Sequence, residues 1–259
     1  MAGDTKNSET DGDELMKYPD DYINKVLCAD CLEVMKGIPD GSIDLVLTDP
    51  PYNLNKGFAN DNTDYPKYLK MMESVIVELV RLLKNEGSLW LFCEQKSHAY
   101  IYVMIDGKLN IRNSIIWHYS NGMVSQGCFV KRYEPIIYAN KGENRCFNGN
   151  DIRIPRLRID KCYVDRYNPD GKIPEDVWHF EREVYTPNRI PHPTVKPLDL
   201  ISTITKVSSN IDDIILDPFA GSGTTLVAAK NLGRRFIGIE ISPEYCKIAN
   251  QRLAQEILL

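Results

Sequence analysis

At 259 residues, 43% hydrophobic and 26% charged, the chain is long enough for one large α/β domain and ordinary in composition for a globular protein. Its net charge of -5 argues at first against a polyanionic partner, but residues 1–22 hold seven acids against Lys6 and Lys17, which leaves the remaining residues neutral. No apolar run reaches the roughly 20 residues of a membrane helix, the polar start lacks the apolar core of a signal peptide, and seven scattered cysteines read as reduced thiols in a cytoplasm.

Residues 1–22 read as a disordered acidic tail. "KVLC" (25–28) reads as a short strand, with "LEVMKGIP" as a helix behind it. Cys28 and Cys31 form a CxxC, but no second pair follows at zinc spacing, so no metal site is expected. "IDLVLT" (43–48) is a continuous apolar strand of the kind buried on both faces. It stops at "DPPY" (49–52), where two prolines end the ladder and stiffen the chain. The Asp49 carboxylate and the Tyr52 ring are then fixed at a strand's carboxyl end, where open α/β sheets carry their chemistry. Taken alone, the motif is at least as good a rigid turn, with Asp49 capping backbone amides. Residues 53–66 are polar and loop-like. Leu69, Met72, Ile76, Leu79 and Leu83 recur at helical spacing and predict a helix closed by Gly87. Strands are expected at 88–93, 113–119 and 133–140. From 141 to 190 the period is lost.

Order returns at "HPTVKP" (192–197), where Pro197 suits a first helical turn and Leu198, Ile201, Ile204 and Val207 follow at helical spacing. "DIILDPFAGSGTTLVAAKNLGRRFIGIE" reads as strand, glycine turn, helix, Gly233 cap and strand, and Ser242 with Pro243 starts a last helix. Strands alternating with helices predict a mostly parallel, doubly wound sheet. In "DPFAGSGTT" (217–225), Gly221 and Gly223 admit close backbone approach, and the helix start supplies free N–H groups. Glu240 ends the next strand, where an acid can accept from ribose hydroxyls. A phosphate loop would need GxxxxGK[ST], and a dinucleotide loop a third glycine where Leu226 stands. What remains is a nucleoside without phosphates, for which S-adenosylmethionine (AdoMet) is the obvious candidate. The alternative is a tight turn with no ligand.

DPPY, HPTVKP and DPFAGSG, in that order and spacing, resemble the β-class of DNA amino-methyltransferases, whose catalytic motif precedes the AdoMet motif. The resemblance covers roughly 24–256, and "EDVWHF" (175–180) also resembles small bacterial members. It implies a Rossmann-like AdoMet-dependent methyltransferase fold of permuted motif order: a catalytic half (23–140), a small irregular target-recognition insert (141–190) and an AdoMet-binding half (191–259). It further implies that Asp49 and the Pro50 carbonyl hold the exocyclic amine of a target base on whose face Tyr52 stacks. Phe219 would lie on the AdoMet adenine, Glu240 on its ribose, and Asp217, Gly221 and Ser222 at its methionine end. Asp30, beside Cys31, matches the acid that bonds the adenine amine; Thr194 and Lys196 match positions that help hold the methionine portion.

In that class DPPY goes mostly with adenine N6, and SPPY mostly with cytosine N4. Asp49 therefore favours adenine, with cytosine N4 and a non-catalytic DNA-binding protein as alternatives. Covalent C5 chemistry would need a nucleophilic cysteine, typically after a proline, and no Pro-Cys dipeptide occurs. The segment from Lys131 to Lys172 holds ten basic against six acidic residues, which suits a polyanion. Arg153, Arg156, Arg158 and Lys161 are expected to read bases or hold phosphate, with Lys131 and Arg132 adding phosphate contacts. Trp117 is expected in the core and His118 at the surface near the base pocket. The implied partner is double-stranded DNA, and the implied setting is the cytoplasm, at the nucleoid, for a bacterial, archaeal or phage-encoded protein. On a homodimer or a companion restriction endonuclease the sequence is silent, although members of the class often dimerise.

Overall fold

The computed structural model describes residues 16–54, 64–121, 127–156, 168–183 and 195–255. Eight strands form one sheet: β1 (Lys25–Cys28), β2 (Ile43–Thr48), β3 (Leu83–Phe92), β4 (Asn110–His118), β5 (Tyr133–Asn140), β6 (Val177–His179), β7 (Ile214–Asp217) and β8 (Arg235–Glu240). Their spatial order is β1-β8-β7-β2-β3-β5-β4-β6. Every neighbouring pair is parallel except the two made by β5. This is the mostly parallel, doubly wound sheet that the alternating pattern predicts.

Two apolar layers explain the unbroken apolar strands. Leu45, Leu47, Trp90 and Phe92 face one side, covered by α4 (Leu198–Ser208) and α5 (Thr224–Asn231). Val46, Leu89 and Leu91 face the other, covered by α1 (Cys31–Lys36), α2 (Tyr65–Leu82) and α3 (Gln95–Ile105). Because side chains alternate along a strand, both sets must be apolar when both faces are covered. The last helix, α6 (Pro243–Ala254), packs on β1 and α5, and Ser242 caps it as expected. No described helix is long and apolar enough to cross a membrane.

Several expectations are corrected. Gly87 does not close α2: the helix stops at Leu82, and Leu83 turns extended to pair with Ile43. Gly87 lies inside β3 beside a register shift, where a Cβ would come within 3.1 Å of the Ile43 carbonyl. Strand pairing, not a glycine cap, ends that helix. The sequence predicts no helix at α3, whose exposed Tyr100 and Val103 blur its buried stripe of Ser97, Ile101 and Ile105. It also predicts no β6, which has only three residues. Pro197 is the N-cap of α4, one place outside the helix. Residues 18–22, grouped with the tail by charge, form a turn that buries Tyr22, at 3% exposure, in the core; residues 1–15 lie outside the described ones.

Candidate active site

Four parallel strands end side by side, and each delivers an acid. Asp30 follows β1, Asp49 follows β2, and Asp217 and Glu240 are the last residues of β7 and β8. They line one cavity of about 370 Å³, within the size range of small-molecule sites.

At one end, Glu240 accepts from the backbone N–H of Gly221 and of Ser242, both at 2.8 Å. A carboxylate has about four acceptor positions, so two remain for hydroxyls in the cavity. Burial pushes Glu240 above the ordinary carboxylate range, and those two N–H groups oppose the shift. Gly221 and Gly223 have φ of 51° and 80°, as the tight turn requires. A Cβ on Gly223 would also meet Ala249 of α6 at 2.9 Å, so this glycine admits a helix as well as a turn. Arg252 of α6 donates to the Ser222 carbonyl at 2.6 Å and to the Thr224 hydroxyl at 3.0 Å, pinning the turn from behind. Asp30 caps α1 through Leu32 N–H at 2.9 Å. Cys31 beside it is pushed up to about 12 by burial, so it stays a thiol. Phe219 is half-buried along the wall.

In the middle sits Asp217, at 3% exposure. It accepts from the Thr48 hydroxyl at 2.9 Å and from Phe219 N–H at 3.1 Å. Burial still lifts it to about 7.

The other end is a charge network. Lys196, 8% exposed, donates to Asp49 Oδ2 at 2.6 Å and pairs with Glu134 Oε2 at 3.2 Å. Tyr52 donates its hydroxyl to the same Glu134 oxygen at 3.2 Å. The other Glu134 oxygen takes Arg182, which lies 3.7 Å over the Tyr119 ring and donates to its hydroxyl at 2.6 Å. The rings of Phe92, Tyr52 and Trp117 stand 5.1–5.8 Å from the ammonium, and such faces attract cations. Burial works against the charges of Lys196 and Glu134. Even so, Asp49 and Glu134 hold Lys196 above its ordinary value, and Lys196 with Arg182 holds Glu134 below its own. Asp49 is raised by burial, with Lys196 as its counter-ion. Its Oδ1 is buried and has no hydrogen-bond partner among the described residues. A buried acceptor without a donor is costly, and Asp49 is part of the cavity wall.

The structure thus brings Asp30, Cys31, Asp217, Phe219, Gly221, Ser222 and Glu240 into one cavity with Asp49, Pro50, Tyr52 and Lys196. Lys196, matched by resemblance to the methionine end, touches Asp49, Tyr52 and Glu134. Thr194, Arg158 and Lys161 lie outside the described residues. Lys131 pairs with Glu94 at 3.1 Å, and Arg132 is exposed beside it. Both precede β5, whose start lies at the sheet end where β3 finishes, beside the cavity. Arg153 is tied to Asn150 and to the Gly171 carbonyl within its own loop. Arg156 is half-buried. Among the described residues, Lys131, Arg132, Arg153 and Arg156 do not line the cavity. Trp117 is buried, as expected, and His118 lies 3.0 Å from His179, nitrogen to nitrogen.

Four contributors escaped sequence reasoning: Thr48, Glu134, Arg182 and Arg252. Glu134 had a signal, as the lone acid in an otherwise apolar strand; the other three had none.

A family model described as DNA methylase matches residues 43–251. "Type II methyltransferase M.HpaI" of Haemophilus parainfluenzae is 37% identical over 238 residues, which cover 90% of this chain and 74% of that protein. "DNA adenine methyltransferase YhdJ" of Escherichia coli K12 is 36% identical, covering 88% and 82%. Among solved structures, an M1.HpyAVI–SAM complex superposes with a TM-score of 0.66 at 26% identity, covering 89% and 99%.

Proposed function

Since the chain belongs to the DNA methylase family, as an AdoMet-dependent DNA methyltransferase, we propose that it methylates the N6 amine of adenine in a short duplex sequence. The observation that carries this reading is the Asp49 carboxylate, with one oxygen on Lys196 and the other buried and unpartnered at the wall of the cofactor cavity. An exocyclic amine is a poor nucleophile because its lone pair is delocalised into the ring. Asp49 Oδ1 accepts one of its N–H bonds, and the Pro50 carbonyl accepts the other. Two acceptors localise the lone pair and aim it, so catalysis is alignment and electrostatics. Tyr52 offers its ring to the extruded base, offsetting part of the few kcal/mol of unstacking. When bound, AdoMet supplies a methyl group on a sulfonium, an electrophile that needs no activation. Glu240 would take its ribose, Phe219 its adenine, and Asp217 with the Gly221–Ser222 turn its methionine end. The free acceptor positions of Glu240 fit that task.

Asp49 and the adenine-specific relative support adenine over cytosine. Exposed Lys131 and Arg132 would meet phosphate, with the 141–190 segment as the target-recognition region. A homodimer and a companion endonuclease are further expectations of the family, as is a place in the bacterial cytoplasm beside the nucleoid. The test is transfer of a labelled methyl group to duplex DNA, followed by mass spectrometry of the hydrolysed nucleosides. N6-methyladenine is the expected product. N4-methylcytosine alone would move the reading to the other amine, and no transfer to any duplex would overturn it.

A further inference from the structure

Asp49, Lys196, Glu134 and Arg182 form a chain of alternating sign with no net formal charge, buried at Lys196 and half-buried at Asp49 and Glu134. Two features of it are unexplained by a clamp made of Asp49 alone. A lone lysine would serve Asp49, yet it would also put a positive charge beside a nitrogen that becomes positive as the methyl arrives. A second carboxylate, Glu134, costs desolvation and repels Asp49, yet it is present and is itself anchored by Arg182.

We propose that Lys196 and Glu134 are a positioning pair for this reaction. Lys196 fixes Asp49 through Oδ2 so that Oδ1 faces the target amine, and Glu134, anchored by Arg182, cancels the ammonium's field where the nitrogen becomes positive. The inference rests on the amine-methylation reading above. Charge fixed in a buried site acts far more strongly than in water, so the sign at the reacting nitrogen decides the effect. The division of labour follows from the contacts. Lys196 is shared between two carboxylates, so each loosens its hold on the other. Tyr52, through its hydroxyl, keeps Glu134 oriented.

The groups that face Asp49 are Lys196 ahead of α4, Glu134 on β5, Tyr52 in its own turn, Cys93 after β3 and Asp217 on β7. Removing Lys196 leaves burial and Glu134 resisting the charge of Asp49, with Tyr52 alone favouring it, and Asp49 then takes a proton more readily. Removing the Glu134 charge does the reverse, because the ammonium then serves Asp49 undivided. The two changes should therefore move the acidic limb of the pH–rate profile in opposite directions, a signature that a merely structural defect would not give.

The experiment is single-turnover methylation of an adenine-containing duplex at saturating AdoMet, across pH, by the full-length parent and four variants. Cofactor affinity is measured in parallel by calorimetry. Lys196→Met should lose roughly 10²-fold in plateau rate, with its acidic limb moved to higher pH. Lys196→Arg should recover much of that rate and keep the parent's limb. Glu134→Gln should lose about tenfold, with its limb moved to lower pH. The double variant Lys196→Met, Glu134→Gln should fall short of the product of the two losses, since the pair acts as a unit. AdoMet affinity should be unchanged throughout. Limbs that stay fixed or move together, or a Lys196→Met defect confined to AdoMet affinity, would overturn the pair while leaving the parent's activity in place. A parent inactive on every duplex would instead overturn the functional reading, and this inference with it. The conservative Arg and Gln variants decide the matter if the Met variant fails to fold.

Discussion

At the end of the cavity proposed for the cofactor, Glu240 is held by the backbone N–H groups of Gly221 and Ser242, 19 and 2 positions away. At the end proposed for the target amine, Asp49 is held by the side chain of Lys196, 147 positions away, which is shared with Glu134 on β5. The first end is a property of one continuous stretch. Strand, turn and helix fold locally, and the donors are peptide groups that no substitution removes, proline excepted. The second end exists only when three distant segments meet. There each charge depends on the next, and the loss of one leaves another buried and unpaired. The cofactor end should therefore lose affinity in modest steps, whereas the amine end should lose chemistry abruptly.

The largest break in that comparison should come from Asp49→Asn. The amide keeps an oxygen but turns an N–H₂ toward either the target amine or Lys196, setting donor against donor. Losing one electrostatic contact of this kind costs about 3–4 kcal/mol, or roughly 10²–10³ in rate. Single-turnover methylation should fall by that factor while calorimetry shows unaltered AdoMet affinity. A variant within about threefold of the parent, a gap under 1 kcal/mol, would reduce the DPPY stretch to a turn.

Asp217, between the two ends, gives the next effect. Its folded pKa of about 7 lies above the ordinary aspartate value of 3.8, so the proton stabilises the fold. That contribution is complete below about 4 and is lost as pH rises through about 7, with a slope of at most about 1.4 kcal/mol per pH unit. Urea unfolding of the cofactor-free protein at several pH values should show this slope in the parent and its loss in Asp217→Asn. Equal slopes in the two proteins would mean that Asp217 is ionised throughout.

Glu240→Ala probes the cofactor end. It removes the charged acceptor proposed for the ribose and strands two backbone N–H groups, so AdoMet binding should weaken by about 1–3 kcal/mol. With saturating AdoMet the single-turnover rate should recover, because nothing at Asp49 has changed. A rate defect that saturation does not repair would show that the two ends are coupled.

The same contrast decides what the sequence could disclose. β2, β7, the glycine turn, α5 and β8 were legible because each is written in consecutive residues: an apolar run, a GxG, a capping glycine, an acid at a strand end. The cavity's acids were legible for the same reason, each standing at or just beyond the end of its strand. The charge network was not. Nothing local to Glu134, Arg182 or Lys196 says that β5 runs antiparallel into the parallel sheet and brings its first residues beside Asp49. Gly87 misled because a glycine after a helical run is a common C-cap, and the tertiary pairing of Leu83 with Ile43 overrode it. The aromatic ring of Tyr52 was read as a stacking surface, while its hydroxyl bond to Glu134 lay beyond what sequence offers.

That hydroxyl gives the smallest and most discriminating test. If Tyr52 serves only as a face for the base, Tyr52→Phe should be silent, since the ring is retained. The structure instead has the hydroxyl donating to Glu134 Oε2 at 3.2 Å, 3.4 Å from Lys196. Its loss leaves Glu134 one donor short and freer to draw Lys196 from Asp49. One hydrogen bond to a buried charged group is worth about 1.5–3 kcal/mol at most. Lys196 and Arg182 still satisfy both Glu134 oxygens, so the expected cost is nearer about 1 kcal/mol, or roughly fivefold in rate. Tyr52→Ala should add the stacking loss of about 1–3 kcal/mol. Single-turnover rates for the three proteins, with base extrusion followed by 2-aminopurine fluorescence at the target position, separate the two roles. Phe should lower the rate with extrusion intact, and Ala should lower both. A Phe variant equal to the parent would confine Tyr52 to the base and leave Glu134 to be held by its cations alone.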